Sequence, residues 1–387
     1  MEAVSSQSRP PAWPAAADPA MRRKGSAEVT SIAEATSVRR VAIGIDTHKY
    51  IHVAVALDEL GTFLGDIAIP VDRGGYERLL EWATSKGRVT AFGIEGTGSY
   101  GAALTSHLRR HGHKVIEVAR MDRRDRRLRG KSDVLDAENA AQAVLAGSAT
   151  AIPKSADGVV EMLRQIKVAK DTAVKARTSA IITLKALVVT APPELGEELR
   201  ELSKMVLIDR CLALRPGKMD TPLAAAKHVL RSLARRWRDL SAEIKEHELL
   251  LAQLTRKIAP QLVEAFGIGA DTAAEVLIVA GDNPRRIRTE AAWARLCGVA
   301  PIPASSGTTT RHRLNRGGHR QANAALYRTI IVRMRHHEPT RTYVARRTEE
   351  GRTKKEIIRC LKRFLAREIW ALMRPLRERP NLPLEAT

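Results

Sequence analysis

Four carboxylates stand where they could do chemistry rather than solvate a surface. Asp46 closes an apolar, β-rich run in Gly44-Ile45-Asp46, and Glu95 closes another in Gly93-Ile94-Glu95-Gly96. Asp133 and Asp136 lie three apart in Lys131-Ser132-Asp133-Val134-Leu135-Asp136, a spacing that puts both on one face of a helix. A carboxylate ending an apolar strand is costly if buried without a partner. Two such strand ends side by side repel unless a cation lies between them. Mg²⁺ takes a few carboxylates together with water and phosphate oxygens, and two such ions ~4 Å apart can clamp an in-line phosphoryl displacement. Each acid also has a plainer role open to it. Asp46 could cap the following turn, Asp133 could be an N-cap or first-turn acid, and Asp136 could favour the helix dipole. As a set in a very basic chain, the four read as a metal site. Asp58, Asp66 and Asp72 fall in turns or at strand edges and read as structural.

A second group lies far downstream. The loop from Gly298 to Gly318 holds adjacent hydroxyls at Ser305 and Ser306, followed by Gly307, Arg311, His312, Arg313, Arg316 and Gly317-Gly318, with Arg320 just beyond. A serine hydroxyl is a poor nucleophile until a base or metal activates it. Nearby guanidinium groups can hold a phosphate bidentately and stabilise charge that develops on it. On spacing alone, these serines read equally as makers of turns or caps.

The elements that must position these groups follow from periodicity. Residues 1–40, rich in Ala, Ser and Pro, read as a flexible leader without the apolar stretch of a secretory signal. Val41–Asp46, Ile51–Leu57 and Phe63–Ile69 read as an antiparallel meander with short, turn-rich links. Gly75–Ser85 (helix), Val89–Glu95 (strand), Tyr100–His111 (helix) and Lys114–Ala119 (strand) then alternate, giving an α/β domain with a mixed sheet over residues 41–150. Arg120–Lys131 reads as a basic loop and Ser132–Leu145 as a helix. Residues 151–262 are largely helical. Leu233, Trp237, Leu240, Ile244, His247, Leu251, Leu254 and Ile258 repeat at alternating spacings of four and three, a coiled-coil-like seam able to serve dimerisation. Residues 263–387 read as a mainly helical, basic domain. It opens with Gly267-Ile268-Gly269, which is either a helix–hairpin–helix phosphate turn or an ordinary cap. Helices over Gln321–His337 and Lys354–Arg374 are expected to turn Leu326, Ile330, Val332 and Met334 inward and Arg328, Arg333 and Arg335 toward phosphates.

Composition narrows the function classes. The 387 residues are 44% hydrophobic, enough for a sizeable core, and carry a formal net charge of +22. No apolar run reaches the ~18 residues of a membrane span. Cys211, Cys297 and Cys360 are too few and scattered for a disulfide framework or zinc knuckle, which points to a reducing compartment. The surplus is concentrated: Arg311–Arg374 has 18 Lys/Arg against 5 acids, and Arg109–Lys131 has 10 against 3. Such one-sided runs suit phosphate tracking better than a solvated face. The residues expected to meet nucleic acid are Arg123, Arg124, Arg127, Lys131, Arg311, Arg313, Arg316 and Arg320.

Val41-Ala-Ile-Gly-Ile-Asp46-Thr-His-Lys49, Gly93-Ile-Glu95-Gly-Thr-Gly-Ser-Tyr100 and Lys131-Ser-Asp133-Val-Leu-Asp136-Ala137, with Ser306-Gly307 and Asn315–Asn323 downstream, resemble the DEDD transposases of insertion-sequence family one-ten, relatives of the Piv DNA invertase. The resemblance covers roughly Val41 to Met373. It implies an RNase H-like (RuvC-like) N-terminal domain in which Asp46, Glu95, Asp133 and Asp136 bind Mg²⁺. It also implies a C-terminal transposase domain whose Ser306, with Ser305 as the alternative, joins covalently to DNA. The partners it implies are donor and target DNA, a structured guide RNA and further copies of the chain in a dimer or tetramer, with no membrane. The setting it implies is the bacterial cytoplasm, at the nucleoid. Two other readings stay open: a RuvC-like structure-specific nuclease using the acids with water, and a non-catalytic nucleic-acid-binding protein.

Overall fold

The computed structural model describes residues 39–119 and 132–378. The expected leader, apart from Arg39 and Arg40, lies outside the described residues. So does the basic loop with Arg123, Arg124, Arg127 and Lys131.

β1 (Arg40–Thr47), β2 (Ile51–Asp58) and β3 (Phe63–Pro70) form the expected antiparallel meander. α1 (Arg73–Lys86), β4 (Arg88–Glu95), α2 (Ala102–Arg110), β5 (Val115–Val118) and α3 (Asp133–Leu145) follow. The sheet order is β3-β2-β1-β4-β5, with β4 parallel to both β1 and β5. Asp72 N-caps α1 by accepting from the Gly75 amide at 2.7 Å. Asp58 accepts from the Leu60 and Thr62 amides. Both acids thus do the local structural work expected of them.

Side chains on a strand alternate between faces, and here the two faces have different jobs. Val41, Ile43 and Ile45 of β1 join Phe92 and Ile94 of β4 in a core shared with Leu79 of α1 and Leu104 and Leu108 of α2. The opposite face carries Val53, Val55 and Leu57 of β2 against Ala137 and Ala141 of α3. On that face β1 and β4 present only small residues to the helix, Ala42 and Gly44 on β1 and Ala91 and Gly93 on β4. A Cβ built on Gly44 would lie 1.9 Å from the Ala137 carbonyl oxygen, and one on Gly93 would lie 2.8 Å from that of Ala140. Continuing with period two, the next residues on this face are Asp46 and Glu95. The glycines therefore let α3 lie on the sheet with its first turn over the strand ends that carry the acids.

Beyond the sheet come α4 (Val159–Val189), α5 (Pro193–Arg200), α6 (Lys204–Ala213), α7 (Pro222–Ile258), α8 (Pro260–Glu264), α9 (Ala270–Ala280) and α10 (Glu290–Leu296). They are followed by the short strands β6 (Ile302–Pro303) and β7 (His312–Arg313), then α11 (Arg320–His336), α12 (Glu338–Glu349), α13 (Lys354–Leu372) and α14 (Arg374–Glu378). α4 and α7 run antiparallel. Val160 and Leu163 meet Leu251 and Ile258 at one end, and Leu184 and Val188 meet Leu230, Ala234 and Trp237 at the other, where α5 and α6 cover them. The α7 seam thus has a partner within the same chain, so the periodicity does not require a second copy. His247, its polar interruption, is half-buried and lies 3.6 Å from Glu243.

Two further expectations change, and the cap reading of the glycine turn finds support. The loop 298–318 contains an antiparallel hairpin, β6–β7. Gly267-Ile268-Gly269 is a capping turn: Gly269 N-caps α9, Ile268 is buried, and Gly267 (φ 77°) packs toward Thr329 and Arg333 of α11. Arg333 is itself buried; it donates to the Phe266 carbonyl and forks onto Glu368 at 2.6 and 2.7 Å, while Val332 is exposed. Arg333 stands three and seven residues after the buried Ile330 and Leu326, so the helical period itself turns it inward.

Asp271 at the start of α9 ties helices together. It accepts from Lys170 at 2.8 Å and lies 3.2 Å from Lys167, both buried on α4, and 3.4 Å from Arg328 of α11. Burial alone would raise its carboxyl, but the hydrogen bond from Lys170 and the two lysine charges outweigh that and hold it below its ordinary 3.8.

Two outcomes are expected. Gly44→Ala should cost about 2–4 kcal/mol in denaturant melts, whereas Gly98→Ala, with nothing within 4 Å of the added carbon, should stay within ~0.5 kcal/mol. Because the Asp271 carboxyl is depressed on folding, its stabilisation is present above the unfolded value of 3.8 and fades as pH falls through the lower folded value. Asp271→Asn should therefore cost about 2–4 kcal/mol at neutral pH, with the difference from wild type shrinking in acid melts.

Candidate metal centre and nucleic-acid surface

The acids converge from three elements. β1 delivers Asp46 and β4, its parallel neighbour, delivers Glu95. Ile45 pairs with Ile94, so the next residues stand level, and the Thr47 hydroxyl donates to the Glu95 carbonyl at 2.8 Å. Ser132 N-caps α3 by accepting from the Leu135 amide, which leaves Asp133 and Asp136 in the first turn near the helix's positive end. The capping role considered for Asp133 belongs to its neighbour. Asp46 and Asp136 are buried, Glu95 is half-buried and Asp133 is exposed.

The grouping has an electrostatic signature. Burial pushes the Asp46 carboxyl up, His48 pulls it down, and the charges of Asp136, Glu95 and Asp133 each push it up again. The other three expected acids therefore all act on Asp46.

The structure adds a residue that the sequence reading did not single out. His48 Nε2 lies 3.1 Å from Asp46 Oδ2 and 3.3 Å from Asp133 Oδ1. One ligand atom from each of Asp46, His48 and Asp133 falls within 4.8 Å of the others. Its signal was available: on extended backbone, positions i and i+2 share a face, so His48 follows Asp46. These donors fit a divalent cation that accepts carboxylate oxygens and tolerates one imidazole.

The serines sit on the β6–β7 hairpin. The Ser305 hydroxyl both accepts from the Arg311 amide at 3.1 Å and donates to the Arg311 carbonyl at 3.3 Å, so it holds the hairpin shut. Ser306 pairs through its backbone with Thr309 across a turn where Gly307 has φ 55°. Its hydroxyl is exposed and makes no hydrogen bond among the described residues. The base of this loop is pinned where Gly318 crosses Gly298: a Cβ on Gly318 would lie 2.2 Å from the Gly298 Cα. Asn323 donates to the Cys297 and Gly298 carbonyls.

Arg311, Arg313, Arg316 and Arg320 are exposed and have no carboxylate partner among the described residues. Other basic residues of this region are already engaged. Arg363 forks onto Glu290, Lys362 donates to Asn323 at 2.9 Å, and Arg377 stacks 3.4 Å from the Trp370 ring centroid. The surface available to phosphates is thus narrower than the charge count implied. No helix among the described residues is long and apolar enough to cross a membrane.

Residues 43–193 match a family profile of DEDD type described as a transposase, and residues 259–345 match a second described as the transposase IS116/IS110/IS902 family. The class is therefore that of the insertion-sequence transposases. An "Insertion element IS110 uncharacterized 43.6 kDa protein" of Streptomyces coelicolor is 30% identical over 159 residues, 41% of this chain and 38% of that relative's length. The chain belongs to the IS110 family of transposases.

A cation site of this make-up gives a clear test. Since the Asp46 carboxyl is raised on folding, its contribution favours the fold at low pH and becomes a cost as pH rises through the folded value. Asp46→Asn should therefore stabilise the metal-free protein at neutral pH, read as a higher melting temperature, yet erase any further rise that Mg²⁺ or Mn²⁺ gives the wild type. His48→Ala should weaken Mn²⁺ binding about tenfold and remove nitrogen coupling from the pulsed EPR spectrum of the bound ion.

Proposed function

We propose that the protein is a DNA recombinase that moves its own insertion sequence, cutting and rejoining strands through Ser306 beside a Mg²⁺ site held by Asp46, Glu95, Asp133 and Asp136. The single observation that carries this reading is the convergence of those acids, from β1, β4 and the first turn of α3, in a chain of net charge +22. The strand order β3-β2-β1-β4-β5, with α3 over the acid ends, supports an RNase H-like (RuvC-like) fold for residues 41–150. Residues 151–262 form a helical spacer, and 263–387 a basic transposase domain.

When bound, Mg²⁺ neutralises and polarises the phosphate oxygens. The chain's own groups do the rest. Arg311, Arg313, Arg316 and Arg320 draw in and orient the backbone. Ser306 Oγ then forms an ester to phosphorus as one sugar–phosphate bond opens, leaving a free sugar hydroxyl. Attack by a hydroxyl of the exchanged strand reverses the step, so the bond energy is kept without ATP. Ser306 suits this role better than Ser305, whose hydroxyl is spent on the hairpin. The acids lie far from Ser306 along the chain, with a long helical region between them, which supports a site completed by a second copy in a dimer or tetramer. A structured guide RNA pairing with donor and target DNA follows from the family resemblance. It would leave the protein to grip backbones, which needs little base-edge chemistry. The setting is the nucleoid of a bacterial cytoplasm.

Incubating the protein with its element's flanking transcript, labelled junction DNA and Mg²⁺ should give a protein–DNA adduct that survives denaturation. Ser306→Ala should abolish that adduct, while Ser305→Ala should keep it at reduced yield. Strand cleavage undiminished by Ser306→Ala would instead favour the water-using nuclease.

A further inference from the structure

Between the hairpin and α13 lies a cavity of about 370 Å³ that shares Arg313 with the phosphate-binding set above. Its walls are apolar: Val299 and Pro301 on the approach to β6, Leu314 just after β7, and Phe364 of α13. Leu314 and Phe364 are both about half exposed, unusual for large apolar groups in so charged a region. The Phe364 ring is braced edge-on by Tyr343, with centroids 5.7 Å apart, so it presents a fixed face. Two exposed guanidiniums, Arg313 and Arg359, line the cavity; neither forms an ion pair within 4 Å of a carboxylate among the described residues, and Arg359 acts on Glu356 only through its charge. The neighbouring Lys362 and Arg363 are committed to Asn323 and Glu290.

An apolar slot rimmed by free cations is matched by a flat heterocycle carried on a phosphate backbone. Aromatic faces stack bases, and guanidiniums take the flanking phosphates. The volume lies near the small end of the ~300–1,000 Å³ range of small-ligand sites, enough to admit one base. The slot is part of the same hairpin that carries Ser306, since Arg313 pairs with Ile302 in the two-stranded ladder. We propose that this cavity receives one unpaired base of the DNA strand being cut, with the adjoining phosphates on Arg313 and Arg359. The inference rests on the reading of the chain as a DNA-acting protein. Withdrawing one base from its stack would let a junction with a loosened base pair be preferred over intact duplex.

The test uses the full-length protein and a short oligothymidylate in which one thymine is replaced by 5-iodouracil. Binding is followed by fluorescence anisotropy at low salt, and irradiation is followed by peptide mass spectrometry. The expected result is an adduct on the peptide containing Phe364. Ala300→Leu, which narrows the cavity and leaves every charge in place, should cut the adduct yield about tenfold with an unchanged melting temperature. Phe364→Tyr should retain the adduct. Probe that is bound by the wild type but crosslinked only elsewhere would overturn the pocket while leaving the phosphate surface intact. So would a yield indifferent to Ala300→Leu. Failure to bind the probe at low salt would overturn the DNA reading and this inference together.

Discussion

The approach of α3 to β1 and β4, backbone against backbone, fixes where the acids sit. A helix packed on ordinary side chains stands well off a sheet, and acids in its first turn would then overhang the strand ends too far to share a charge with them. Gly44 and Gly93 remove the obstacle on the strand side, and Ala137, Ala140 and Ala141 remove it on the helix side. The energetic return comes from dense contact among small groups. It offsets the electrostatic cost of gathering four carboxylates, a cost visible in the upward push on Asp46. His48, lodged between Asp46 and Asp133, eases that cost without a cation.

Charge is used in two ways along the chain. Some cations are spent internally. Lys167 and Lys170 converge on Asp271, Arg333 grips Glu368 and the Phe266 carbonyl, and Arg363 grips Glu290. Lys154 and Arg286 donate to the last carbonyls of α9, where the helix dipole favours positive charge. These contacts build a rigid framework out of residue types that composition alone assigns to a ligand. Around the hairpin, Arg311, Arg313, Arg316 and Arg320 stay exposed and without an ion pair among the described residues.

The sheet was readable because its strands are short, β-rich and apolar with clean turn signals, and their expected bounds fall within one or two residues of the observed ones. The four acids were readable for the same reason: strand ends and a helix start are positions that periodicity defines. The failures share a different cause, partners that sequence spacing does not name. The α7 seam shows a stripe in need of cover but not that α4 supplies it. The β6–β7 hairpin is too short and polar to give a period-two signal. Arg333 was assigned by its charge when its position in the helical period already placed it inward, and Val332 was assigned by its apolar character with the opposite result. His48 was passed over because the motif was read acid by acid rather than face by face.

α4 leaves the base of the helical hairpin beside Val160 and α7 returns to it beside Ile258. There Lys154, Ser155 and Val160 are fastened to Ile278, Asn283 and Asp282. The 37 residues of α7 extend about 55 Å at ~1.5 Å per residue, and the outgoing and returning limbs meet again at this root. The excursion closes on itself. Its reach can therefore lengthen or shorten by matched turns on both limbs while the geometry at its root is kept, which makes it a free dimension of the molecule, adjustable to whatever its far tip must meet.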